Sequence, residues 1–137
     1  MLRYLPALVL TSSVTAASAC GYCVEDKIAA VYDHAAVSRA LQENRTVVFF
    51  AIDGALRTGE AEKRKLEGIV ASVPGVDRQS VRLSIELATL ALAFDPRRAN
   101  LGQVQNVLDR KLAALGLSLL AMRVMDKPGD LAAVRRR

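Results

Sequence analysis

Tryptophan is absent from this chain, aromatic residues make up only 4% of it, and cysteine and histidine together supply just Cys20, Cys23 and His34. So few flat side chains exclude a stacking platform for single-stranded nucleic acid. So few soft or nucleophilic groups confine metal and covalent chemistry to one short stretch. No Ser/His/Asp grouping, phosphate-cradling glycine loop or paired carboxylate in a defined context is present. At 137 residues the chain has room for one proper core, and large catalytic barrels are excluded. Basic surface is also scarcer than the formal charge of +5 implies: setting aside Arg3 near the start and Arg135, Arg136 and Arg137 at the end leaves +1 for the body. A nucleic-acid partner is therefore not expected.

What is present begins with a leader. Residues 1–19 carry one basic residue and no acid, with an apolar run from Leu5 to Leu10, small polar residues after it, and Ala17-Ser18-Ala19 at the end. That order matches a signal peptide cleaved after Ala19, which places the mature chain outside the cytoplasm, most simply in a bacterial periplasm. The apolar run is too short to span a bilayer. A Cys directly after a small residue is also where bacterial lipoproteins are acylated, although Ala17 stands where that motif usually has Leu. Acylation of Cys20 would anchor the protein to a membrane and remove the thiol.

Residues 24–41 have few helix breakers and an apolar stripe at Val24, Ile28, Val31 and Ala35, with Glu25 and Asp26 in the first turn, so a helix is expected. Val37 and Leu41 fall off the stripe, so this helix should bend, end early or be covered on two sides. From Thr46 the periods change. Residues 46–52 are β-branched and aromatic on both faces, as in a central strand. After a polar loop over 53–62, Leu66, Ile69, Val70 and Val73 mark a helix face that Pro74-Gly75 ends. Residues 80–87 alternate, with Arg82, Ser84 and Glu86 on a wet face, and Leu90, Leu92 and Phe94 continue the alternation. Asn100 caps a second helix with Leu101, Val104, Val107, Leu108, Leu112 and Leu115 on one side, and residues 119–125 form a last strand. Strand, helix, strand, strand, helix, strand is an α+β, ferredoxin-like βαββαβ sandwich, here with an extra N-terminal helix. Its parts are a leader (1–19), a Cys turn and helix (20–45), the sandwich (46–125) and a basic tail (126–137).

Within the sandwich, Val73-Pro74-Gly75-Val76, the alternating strand, Ala88-Thr89, Phe94-Asp95-Pro96 and Leu115-Gly116 resemble the heavy-metal-associated domain of copper chaperones, mercuric-ion binding proteins and metal-pumping ATPases. The resemblance covers about 80 residues and implies the fold and a habit of docking to protein partners. The family holds a soft metal with a Cys-x-x-Cys between the first strand and first helix. Here those positions fall near Gly59 and Glu62, and the loop contains no Cys, His or Met. Glu60 and Glu62 offer hard oxygens unsuited to Cu(I).

Cys20-Gly21-Tyr22-Cys23 is the only thiol site. Two thiols just before a helix suit soft-metal binding, with Cu(I) or Zn(II) as the candidates, or thiol–disulfide exchange, because the helix start stabilises thiolates. A plain structural disulfide is the simplest alternative outside the cytoplasm. His34, eleven residues on, would lie about 16 Å from Cys23 along a continuous helix and so outside a shared coordination sphere. Met122 and Met125 are read as packing residues. The charged run from Glu60 to Glu67 is most simply the solvated start of a helix. The expected function is an exported binding module for soft-metal handling or protein docking. A redox protein using Cys20 and Cys23, or a lipid-anchored interaction domain, are the alternatives.

Overall fold

The computed structural model describes residues 23–131. Two short helices come first, α1 (Val24–Val31) and α2 (His34–Gln42), followed by β1 (Thr46–Asp53), α3 (Glu60–Ala71), a single 3₁₀ turn (Arg78–Ser80), β2 (Arg82–Ser84), β3 (Thr89–Phe94), α4 (Leu101–Ala113) and β4 (Ser118–Met125). The sheet order is β2-β3-β1-β4, and every neighbouring pair is antiparallel. With one helix after β1 and another after β3, this is the ferredoxin-like βαββαβ arrangement.

The central strand is buried on both faces because its neighbours are apolar on both. Val48, Phe50 and Ile52 of β1 point to a cluster closed by Leu66 and Val70 of α3 and Val104, Leu108 and Leu112 of α4. Val47 and Phe49 point the other way, into a second cluster with Ile28 and Val31 of α1, Val37, Ala40 and Leu41 of α2, and Ala91, Ala93 and Met125 of the sheet. Both Phe49 and Phe50 are fully buried. The sheet is thus a middle layer. The outer face, read from Arg82, Ser84 and Glu86 as the wetter one unless the N-terminal helix covered it, is covered by α1 and α2.

The single helix expected over residues 24–41 is two. Asp33 adopts an extended backbone (φ −112°, ψ 106°) and its carboxylate accepts from Ala36 N–H at 3.1 Å, so it serves as the N-cap of α2. A capping aspartate inside the stretch outcompetes helix continuation, and Val37 and Leu41 start a new apolar stripe instead of extending the old one. Val24 and Ala35, both assigned to the first stripe, are exposed. The strand expected over 80–87 shrinks to three residues. Before it, Asp77 caps the 3₁₀ turn through Gln79 N–H, and Ser80 Oγ donates to Asp77 O at 2.6 Å and accepts from Ala93 N–H at 2.7 Å. After it, Ile85 to Ala88 turn back, with Ala88 at a positive φ of 48°.

Other boundaries follow their sequence signals. Asn100 and Gln103 form a reciprocal capping box at the start of α4. Gly116 (φ 71°) ends the turn after α4. Gly54 (φ 119°) lies so close to it that an added Cβ would sit 2.4 Å from Gly116 O, so the chain leaving β1 is locked against the chain entering β4. The tail does not begin at Asp126 in packing terms. Asp130 accepts from the N–H groups of Asp126 and Lys127, and Leu131 packs on the outer cluster. Arg135, Arg136 and Arg137 lie outside the described residues.

Candidate functional site

The outer layer positions Cys23, the described member of the two thiols. Helix α1 crosses the sheet with its ends held at opposite edges: Glu25 in its first turn pairs with Arg123 of β4, and Asp33 just after it pairs with Arg82 of β2 at 2.8 Å. Ile28 and Val31 between them are buried. Opposite charges at each end and apolar residues in the middle hold the head of the helix on a fixed base. A third pair, Arg39 with Asp77 at 3.4 Å, fastens α2 to the turn before β2. The Asp33 carboxyl is held below the ordinary aspartate range, first by the Ala36 N–H bond and then by the Arg82 guanidinium.

Cys23 stands at the head of α1 as its N-cap, with extended backbone (φ −66°, ψ 163°) and an exposed side chain. Its Sγ donates to Asp26 Oδ2 at 3.2 Å. Cys20, Ala19 and the leader lie outside the described residues, so cleavage, acylation and the pairing of the two thiols have no geometry here. Among the described residues no group of three or more His, Cys, Asp or Glu side chains is arranged to hold a metal.

Gly59 and Glu62 occupy the start of α3. Gly59 is the N-cap with φ 116° and no side chain to donate, and Glu62 lies half-buried in the first turn. The donors there are carboxylates and backbone, a set that does not fit a soft metal. Glu60 pairs with Arg64 at 3.7 Å across one helical turn, in line with a solvated helix start.

His34 is exposed. Its Nδ1 meets Tyr32 Oη, at the end of α1, at 3.3 Å and its Nε2 meets Ser38 Oγ of α2 at 3.4 Å, so it is satisfied by near neighbours in the chain and forms no site with Cys23. Met125 is buried in the outer cluster and Met122 packs against it, as packing residues do. Two features escaped the sequence reading. The ion pairs of Glu25 with Arg123 and of Asp33 with Arg82 join residues far apart in the chain, and no local spacing announces them. A crevice beside the loop after β1, lined by Arg57, Glu62 and Lys65, forms only when that loop meets the end of α4.

No model of a known protein family matches the chain, and no curated protein matches it. Among solved structures it is similar to a copper-binding domain from HMA7, a P-type ATPase, with 15% identity over 58% of this chain and 96% of that one, at a TM-score of 0.46. It is also similar to oxidised MerP from Ralstonia metallidurans CH34, with 19% identity over 57% of this chain and 99% of that one, at 0.44. A third is the N-terminal domain of a potential copper-translocating P-type ATPase from Bacillus subtilis in the Cu(I)-loaded state, with 19% identity over 61% and 94%, at 0.45. Likeness at these identities is one of fold, and the fold class of this chain rests on its own strand order and connections.

Proposed function

We propose that this chain is an exported binding module, not an enzyme, that handles a soft metal ion as cargo through Cys20 and Cys23 and passes it by docking to a protein partner. The observation that carries the reading is the exposed Cys23 thiol at the head of a helix fastened to the sheet, in a chain whose loop after β1 has no soft donor. Thiolates select Cu(I) over hard cations, and two of them at this spacing supply a low-coordinate site. Zn(II) would need further ligands, of which a free α-amino group on Cys20 is one. In this reading the ligand pair lies in the sequence just before α1 and not in the loop after β1, and the fastened helix keeps Cys23 presented.

The test has two steps. The mass of the mature N-terminus shows whether Cys20 is free or acylated; an acylated Cys20 overturns the metal reading in favour of a lipid-anchored interaction domain. With a free Cys20, reduced protein is expected to bind one equivalent of Cu(I), lost in Cys20→Ser. Reduced protein that binds no soft metal but exchanges with a test disulfide makes the pair a redox site instead.

A further inference from the structure

The loop that lacks metal ligands bounds a crevice that the function proposed above does not use. About 320 Å³ of space lies between residues 55–57 on one side, the first turns of α3 on another, and Ala114, Leu115 and Leu117 at the end of α4. A volume of that size falls in the range of small-molecule sites. The loop is held next to the end of α4, because Gly54 and Gly116, the chain neighbours of the lining residues Ala55, Leu115 and Leu117, approach closely and both adopt positive φ. Leu56, Leu115 and Leu117 supply the large apolar side chains of the crevice's mixed polar and apolar lining, and Leu56 and Leu115 themselves pack on the inner core. The rim carries Arg57 and Lys65, whose side chains make no ion pair or hydrogen bond among the described residues. Glu62 is the one acid beside them, so the rim keeps a net positive charge.

We infer that this crevice is a binding site for a small carboxylate with a short branched apolar body, the carboxylate lying between Arg57 and Lys65 and the body on Leu56, Leu115 and Leu117. Two unpaired cations beside three leucines complement an anion at one end of the ligand and a hydrocarbon at the other. Neither cation is needed by the fold, since both are exposed and neither holds an internal partner.

The probe is 4-methylpentanoate, added to the purified chain at neutral pH and followed by amide chemical shifts, with 4-methylpentanamide as the uncharged control. Saturating shifts are expected at Leu56, Leu115 and Leu117, with none of comparable size from the amide. The double variant Arg57→Gln/Lys65→Gln should weaken binding about tenfold, two exposed charge contacts together giving that factor, and Glu62→Gln should strengthen it. Absence of a saturating shift up to about 20 mM, a range that reaches even very weak complexes, would overturn the site. So would equal binding of the amide, or unchanged affinity in the double variant. None of these results bears on Cys20 and Cys23, so failure here leaves the thiol reading to its own test.

Discussion

The carboxylate of Asp33 meets the guanidinium of Arg82 through two bonds, at 2.8 and 3.3 Å, although 49 residues separate them. Asp33 does two jobs at once. It caps α2 through Ala36 N–H, and it ties the joint between α1 and α2 to the short edge strand β2. The joint therefore joins local helix chemistry to tertiary attachment of the whole outer layer.

A pH dependence follows. The Asp33 carboxyl is lowered, so the ionised form is favoured in the folded state and its contribution to stability is complete above the ordinary aspartate range. That contribution is lost as pH falls below about 4, through the depressed folded value. Asp95, lowered chiefly by its hydrogen bond from the Arg97 side chain, adds in the same direction. Asp33→Asn keeps a capping oxygen but loses the charge. Urea midpoints should show the variant less stable than the parent at pH 6, with the gap closing at pH 2.5.

The outer layer is predicted to be part of the core and not an appendage. Phe49 faces α1 and α2, Phe50 faces α3 and α4, and both are fully buried. Phe49→Ala should cost about 3–5 kcal/mol, as should Phe50→Ala. Chemical denaturation with one cooperative transition for both variants checks this. A Phe49→Ala cost under about 1 kcal/mol, far below the usual range for a buried phenylalanine, would mean that α1 and α2 lie on the sheet without stabilising it.

Gly54→Ala should destabilise the chain by about 2 kcal/mol or more, because an L side chain at φ 119° is strained and its Cβ would meet Gly116 O at 2.4 Å. Gly59→Ala shares the positive φ but has open space around its Cβ, so it should cost less. Thermal unfolding of the pair separates the clash from the backbone strain.

Strand β4 is a sheet edge, and its start is closed by α4: Asp109 Oδ1 accepts from Leu119 N–H at 3.2 Å, and Gln105 Nε2 donates to Leu119 O at 3.1 Å. Leu120 on this edge is exposed. Removing both caps in Asp109→Ala/Gln105→Ala should expose a pairing edge and produce concentration-dependent association visible by light scattering.

The order of sandwich elements was legible because each carries a period of its own, two in the strands and 3.6 in α3 and α4, with Asn100 and Gly116 as punctuation. The break at Asp33 was only half legible. Val37 and Leu41 fell off the first stripe, but a capping aspartate looks like any surface acid until its partner Ala36 N–H is in place. The strand over 80–87 misled because Ile85 and Leu87 keep the alternating pattern inside a turn, where Ser84 Oγ accepts from Leu87 N–H and Ala88 takes a positive φ. The absence of soft ligands from the loop after β1 was readable residue by residue. The crevice beside that loop was not, since its walls come from segments some 50 residues apart.

The most direct test of the central claim is a Cu(I) competition titration of the reduced chain with Cys20 free against a chromophoric chelator, comparing Cys23→Ser with Glu62→Gln. The parent and Glu62→Gln should each withdraw one equivalent of Cu(I) from the chelator while Cys23→Ser withdraws none. Retention of Cu(I) by Cys23→Ser, or no withdrawal by the parent, would contradict that claim.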